Sequence, residues 1–322
     1  MPVKQIHSHL FFGKIMLLAQ NYKTAFSHMN SGVLALIATL IIWSSYFVAL
    51  RSGAQSSLTG FDMALLRFML PALLLTPVLI KSKNRIAKVP KRYLLGIAAG
   101  AGLPFYLFSV LASGQVQAVI GSLLVPGVSP LLVTIMAIVF YKERLSKQRM
   151  LGLFTILGGI AMLVGNQLGL NAGSTISFGS LMGMGLYLCA AGCWAVYTVS
   201  VKMSKLNGLE IAAILNCSAA IILLSVLPID MFTSNLEKES LETIFAQLLV
   251  MGVFCGLITV ITYGHAISRL GAEITACWGA MTPILVALLA FLILGEALSV
   301  STMAAMMLII MGVVFANFKR KT

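Results

Sequence analysis

Ten runs of mostly apolar residues dominate this chain, at 32–50, 61–80, 93–111, 118–141, 150–165, 179–201, 211–226, 244–268, 272–294 and 300–318. A bilayer's hydrocarbon core is crossed by about 20 helical residues, so each run has roughly the length of a membrane span. Lipid offers no partner to a backbone N–H or C=O, which leaves helices and closed barrels as the only spanning structures. A barrel needs short segments of alternating polarity, and these runs are continuous. Of the 322 residues only 10% are charged and 59% are hydrophobic, with a mean hydropathy of +1.00. That is too little charge to cover the surface of a soluble domain. The predicted fold class is an all-α integral membrane protein with ten transmembrane helices.

The formal net charge is +13, but its placement argues against nucleic-acid binding. With the N-terminus in the cytosol, the basic residues collect on the inner side. Lys4, Lys14 and Lys23 precede the first run; Lys81, Lys83, Arg85, Lys88, Lys91 and Arg92 follow the second; Lys142, Arg144, Lys147 and Arg149 follow the fourth. Lys202, Lys205 and Arg269 lie in later even-numbered loops, and Lys319, Arg320 and Lys321 in the tail. Together they make 19 of the 22 Lys and Arg. Arg51 and Lys238 fall outside and Arg67 lies within a run, while the loop after the seventh run is acidic (Asp230, Glu237, Glu239, Glu242). This bias predicts both termini inside and an even number of spans. Short loops fit a bacterial inner membrane. Residues 1–30 read as a cytosolic or interfacial extension rather than a signal peptide, because their apolar stretch is too short to span and no small-residue cleavage site follows it.

The two halves resemble each other. Trp43-Ser-Ser-Tyr46-Phe-Val48-Ala-Leu-Arg51 in the first run matches Trp194-Ala-Val-Tyr197-Thr-Val199-Ser-Val-Lys202 in the sixth. Pro130-Leu-Leu-Val133, then Glu143-Arg-Leu145-Ser146, matches Pro283-Ile-Leu-Val286, then Glu296-Ala-Leu298-Ser299. Gly102-Leu103 matches Gly256-Leu257, and Gly159 matches Gly312, always at an offset within a few residues of 150. Five spans per repeat is an odd number, so the second copy enters the membrane inverted. Inverted five-helix repeats at 31–165 and 179–318 are therefore expected, a design many secondary transporters use with the solute site near the midplane.

With these motifs the sequence resembles the EamA type of the drug/metabolite transporter superfamily. The resemblance rests on Trp43 and Tyr46, Arg67-Phe68, Pro130 and Pro283, and the Glu143-Arg-Leu145 and Gly295-Glu296-Ala-Leu298 tails, and covers 32–318. It implies a central cavity lined by helices 1–4 and 6–9, with helices 5 and 10 peripheral. It also implies export or exchange of a small solute, without fixing which one.

Candidate substrate-binding residues are Trp43, Tyr46, Arg67, Tyr106, Trp194, Tyr197, Tyr263 and Trp278. Arg67 lies about six residues, or roughly 10 Å, into its run. An embedded Arg is costly and faces a cavity or a partner. One reading has it holding a substrate carboxylate or phosphate. The other has it snorkelling to headgroups or pairing with a carboxylate such as Asp62. The aromatic residues stack on a flat solute or shape an apolar pocket in one reading, and form an interfacial belt in the other. Pro130 and Pro283 are candidate gating points or helix breaks, because proline removes a backbone bond. His265 reads either as a proton relay or as a hydrogen-bonded packing residue.

The sequence has no G-x-x-x-x-G-K-[ST] and no H-E-x-x-H, so no ATP use, cofactor, metal or enzymatic activity is expected. The first run lacks an embedded carboxylate, which disfavours a cationic-drug antiporter built around one. Cys189, Cys193, Cys217, Cys255 and Cys277 all lie in apolar runs and read as small packing residues. The expected partners are a small-molecule substrate and the lipid bilayer, with no nucleic acid; a homodimer is an arrangement the sequence allows. The leading functional expectation is a secondary transporter that exports an amino acid or related metabolite. The alternatives are an importer of a vitamin-like aromatic solute such as riboflavin, and a non-transporting scaffold.

Overall fold

The computed structural model describes residues 30–141, 146–167, 178–226, 233–271, 275 and 278–317. The N-terminal extension, the Glu143-Arg-Leu145 motif, Asp230, Cys277 and the basic tail lie outside the described residues. Within them the chain is helical and without strands. The elements are α1 (Asn30–Gln55), α2 (Gly60–Lys81), α3 (Lys91–Ser113), α4 (Ala118–Tyr141), α5 (Lys147–Gln167), α6 (Phe178–Ser204), α7 (Gly208–Val226), α8 (Leu241–Leu270), α9 (Thr282–Leu294) and α10 (Val300–Asn317). The first eight are long and apolar enough to cross a membrane, and α9 and α10 are shorter apolar helices.

Three elements depart from the uninterrupted helices expected. First, α3 is broken into Lys91–Gly100 and Leu103–Ser113 at Ala101 and Gly102, and Pro104 sits in the first turn of the second part. Proline fits a first turn because its missing N–H would be unpaired there anyway. Second, α8 carries a π-helical segment, Leu248–Ile258, where the Thr259 hydroxyl bonds the Phe254 carbonyl five residues back. Third, α9 starts only at Thr282, with Pro283 in its first turn. Pro283 thus opens a helix, whereas Pro130, with Pro126, lies inside an unbroken α4.

Two pairs of helices, α5 with α10 and α2 with α7, pack together and run antiparallel. On α5 and α10, a Cβ on Gly312 would meet Gly152 O at 2.7 Å and Ile156 N at 2.8 Å, while one on Gly159 would meet Ala305 O at 3.0 Å. Numbers rise along one helix as they fall along the other. Between α2 and α7, Cys217 reaches the Ala72 carbonyl. Here the two helix starts are tied in a matching way. Thr59 and Asp62 form a capping box at the start of α2, and Asn207 and Glu210 exchange the same pair of bonds at the start of α7. Such boxes satisfy helix-end N–H groups reciprocally. Each carboxylate then binds the segment that follows the other helix: Asp62 accepts from Ser234 Oγ and Asn235 N, and Glu210 faces Arg85 at 3.5 Å.

The remaining contacts obey the same exchange. α6 lies on α3, where a Cβ on Gly100 would meet Cys193 O at 2.6 Å, and on α4. α1 lies on α8 through Thr39–Thr262, Cys255–Ile42 O and Gln247–Ala49 O, and on α9 through Ser44 and the Thr282 carbonyl. Phe68, Leu123, Leu124 and Ile156 are sealed inside, while Leu73, Phe154, Leu292 and Ile293 stay exposed on the outside, as a lipid-facing surface requires.

Candidate functional site

Helices α1, α2, α6 and α8 bring six of the eight nominated residues together, with Phe105 of α3 between them. Tyr263 lies 5.0 Å from Trp43 between ring centroids. Trp43 meets Trp194 edge-on at 6.5 Å and 89°. Trp194 in turn contacts Tyr197 at 5.2 Å and Phe105 at 5.5 Å. Phe105 stacks on Tyr46 at 6.3 Å and 17°. The repeat thus places Trp43-x-x-Tyr46 and Trp194-x-x-Tyr197 in one ring cluster, each pair a helical turn apart. Trp43, Trp194, Tyr197 and Tyr263 are only partly covered.

Arg67 closes the Tyr46 end of this cluster. Its Cζ lies 5.8 Å from the Tyr46 ring centre and 5.3 Å from that of Phe68, within range of attraction between a cation and ring faces. Its Nη1 donates to the Met251 carbonyl at 2.8 Å, inside the π segment of α8. π segments are frequent at functional sites because they reorient the backbone. Asp62, the carboxylate considered as a partner for Arg67, is occupied instead by Thr59, Ser234 and Asn235. Among the described residues Arg67 has no acidic partner.

Two nominated residues fall outside these ring contacts. Tyr106 is buried one layer behind, where it packs edge-on against Phe68 at 5.5 Å and donates to the Gly60 carbonyl. Trp278 is 54% exposed and makes no ring contact among the described residues, although a Cβ on the adjacent Gly279 would lie 3.9 Å from the Trp43 ring. His265 shares a hydrogen bond with Ser31 at 3.1 Å, the packing arrangement rather than a site at the rings. No cluster of three metal-ligating side chains occurs among the described residues.

Two features went unread in the sequence. Phe105 links Tyr46 to Trp194, yet in an apolar run it is indistinguishable from a packing residue. The second is a polar knot at one end of the bundle. Arg51 Nε donates to Glu296 Oε1 at 2.8 Å, and Arg51 Nη1 donates to the Ser113 and Gly114 carbonyls. The other oxygen of Glu296 accepts from Ala118 N. The repeat flagged Arg51 and Glu296 as equivalents of Lys202 and Glu143, but nothing in their spacing says that they meet.

An all-helical, multi-pass membrane bundle with a ring cluster where its halves meet is the setting for comparison with known proteins. The model of the EamA-like transporter family matches residues 30–165 and again 181–318, and the chain belongs to that family. Among its relatives are the uncharacterized transporter YyaM of Bacillus subtilis, 24% identical over 85% of this chain and 87% of its own, and an uncharacterized transporter of Archaeoglobus fulgidus, 20% identical over 89% and 99%. A probable terminal-alkyne amino-acid exporter of Streptantibioticus cattleyicolor is 24% identical over 83% of this chain and 87% of its own. A crystal structure of a protein 20% identical in sequence superposes with a TM-score of 0.58, covering 89% of this chain and 96% of its own, which supports the fold.

Proposed function

We propose that this transporter is a secondary carrier that exports a small carboxylate-bearing metabolite, an amino acid or a close relative, by alternating access. Ten spans form two five-helix units, 31–165 and 179–318, inserted in opposite senses with both termini in the cytoplasm of a bacterial cell. The antiparallel pairing of α2 with α7 and of α5 with α10 supports this reading, as does the inner-side bias of Lys and Arg. Two copies related by such an inversion give one fold two mirror-related states, open to either side.

One observation carries the substrate assignment. Arg67 is an embedded cation with one hydrogen bond among the described residues, set against the aromatic cluster where the halves meet. Burying an Arg in a membrane costs a few kcal/mol even on the mildest scale, so its retention is explained by an anion that it binds during transport. The amino-acid exporter among the relatives agrees with that choice.

Flux into proteoliposomes with a panel of amino acids, nucleosides and riboflavin tests this. The expected result is saturable flux of an amino acid or its analogue, lost in Arg67→Ala while the amount of inserted protein is unchanged. Absence of flux for the whole panel refutes the reading. The ring cluster also favours a second reading, import of a flat aromatic solute, and saturable riboflavin uptake in the same panel selects it.

A further inference from the structure

Resting on the reading that Arg67 and the rings form the substrate site, we infer that the site selects a monocarboxylate anion with an apolar or aromatic body, and that an amino group on that body is dispensable. The argument is one of charge and donor balance.

Arg67 presents five N–H donors in a planar fork shaped for a carboxylate. One of its hydrogen bonds goes to the Met251 carbonyl, and its flank lies over Tyr46 and Phe68. The hydroxyl on the Tyr46 ring that Arg67 flanks makes no hydrogen bond of good geometry among the described residues, with Ser109 its polar neighbour, and the residue is only 8% exposed. A buried hydroxyl without a partner costs about 1–3 kcal/mol. A carboxylate held by Arg67 supplies the acceptor that Tyr46 lacks, and Phe105, Trp194 and Trp43 continue from Tyr46 as a surface for the body of the ligand.

An ammonium group finds no such provision. The carboxylates buried among the described residues are already committed: Asp62 to Thr59, Ser234 and Asn235; Glu210 to Asn207 and Arg85; Glu296 to Arg51 and Ala118. None of them belongs to the ring cluster. An amine there would meet the field of Arg67 and find ring faces and tyrosine hydroxyls, but no carboxylate, for compensation. Cation–π attraction of about 0.5–2 kcal/mol is of the same order as the cost of stripping water from the amine. A phosphate, with nearly twice the charge, would need more than this single cation. A carboxylate leaves the loaded site neutral.

The test uses the purified full-length protein and its tryptophan fluorescence, since Trp43 and Trp194 lie in the cluster. The probes are phenylalanine, its des-amino analogue 3-phenylpropionate, and its decarboxylated analogue phenethylamine. A charged hydrogen bond is worth roughly tenfold or more in affinity. 3-Phenylpropionate is therefore expected within about tenfold of phenylalanine, and phenethylamine more than about tenfold weaker. Arg67→Gln should weaken both acids and spare the amine, with an unchanged melting temperature. Tyr46→Phe, which keeps the ring, should weaken both acids by a smaller factor, so the idea is still tested if the Arg67 variant fails to fold. Phenethylamine binding as well as phenylalanine, or phenylalanine binding without 3-phenylpropionate, overturns the inference. Phenylalanine transported without 3-phenylpropionate leaves the exporter reading standing, whereas no binding and no flux for any acid removes both.

Discussion

Arg51 and Glu296 form a 2.8 Å ion pair, with 19% and 9% of their side chains exposed, that ties the end of α1 to the connection between α9 and α10. Glu296 is aimed there by the backbone. Gly295 adopts a left-handed φ of 67°, and the N–H groups of Gly295 and Glu296 return to Phe291 and Ala290 in the manner of a Schellman cap. Arg51 also holds the last carbonyls of α3, and Glu296 the first N–H of α4. Four helix ends thus converge on one pair of charges.

On the alternating-access reading proposed above, the expected role of such a knot is to hold one end shut. Glu296→Gln keeps the shape and removes the charge. Breaking a buried pair costs about 3–5 kcal/mol, and less where one partner meets water, so about 2 kcal/mol is expected here. A cysteine introduced at Gln117, next to the knot, should react faster with a membrane-impermeant maleimide in Glu296→Gln than in the parent. Equal labelling rates in the two backgrounds would show that the pair does not control that end.

The capping boxes give a symmetric prediction. Asp62→Ala removes the acceptor for Thr59, Ser234 and Asn235, and Glu210→Ala the acceptor for Asn207 and Arg85. Each loss is expected to cost about 1–2 kcal/mol, seen as a lower melting temperature in detergent. Because the two boxes share no partner, the double variant should show the sum of the single effects. A clearly smaller combined loss would mean that the boxes are coupled.

Much of this architecture was legible before the structure, for definite reasons. Length and polarity alone mark spans such as α2 and α6, because lipid leaves a backbone no alternative to helix. The Trp-x-x-Tyr repeat, read at helical spacing, announced residues that do converge. What escaped depends on partners far along the chain. Thr59-x-x-Asp62 is a recognisable cap, but only the fold reveals that residues 233–235 cover it. The break in α3 is written as Gly100-Ala101-Gly102-Leu103-Pro104, but Gly102-Leu103 reads only as part of the repeat, since glycine in an apolar run serves close packing as readily as a break. Trp278 precedes a turn at Ala280 and Met281 that an apolar run does not announce.

The α5–α10 contact makes a sharper demand. A methyl group at Gly312 would press on Gly152 O at 2.7 Å and Ile156 N at 2.8 Å, both backbone atoms that cannot swing aside. Gly312→Ala should therefore lower the melting temperature and the folded yield, by about 1–3 kcal/mol for an overpacked contact. Gly158→Ala is the control, because nothing lies within 4 Å of the added carbon, and alanine favours a helix by up to about 1 kcal/mol. Equal effects at the two sites would contradict the close approach.

Glu239 supplies a pH prediction outside the membrane spans. The Ser57 hydroxyl, the Ser240 N–H and the Ser57 N–H all donate to its carboxylate and hold its pKa down at about 2, against an ordinary 4.5. A carboxyl with a depressed pKa in the folded state contributes fully above its ordinary value and loses that contribution as pH falls through the folded one. Exchange protection of the Ser57 N–H should thus be constant from pH 7 to pH 4.5 and decline toward pH 2. In Glu239→Gln it should be weak throughout. Loss of protection already between pH 6 and pH 5 would place the protecting group elsewhere.

Phe105 separates a binding surface from mere core. It touches Tyr46 on one side and Trp194 on the other, at 6.3 and 5.5 Å, so it bridges the Arg67 end of the cluster to the tryptophans. Aromatic contacts contribute about 0.5–1.5 kcal/mol beyond the area they bury, or roughly threefold to tenfold in affinity. Phe105→Leu keeps most of the apolar volume and discards the ring. It should weaken an aromatic carboxylate by that factor, beyond the modest fall in melting temperature that the lost contacts with Tyr46 and Trp194 bring. Trp278→Phe should leave the same titration unchanged, because Trp278 stands exposed and makes no ring contact among the described residues. A ligand that ignores Phe105 but is lost with Trp278 would move the binding surface away from the Tyr46–Phe105–Trp194 path, toward the turn before α9.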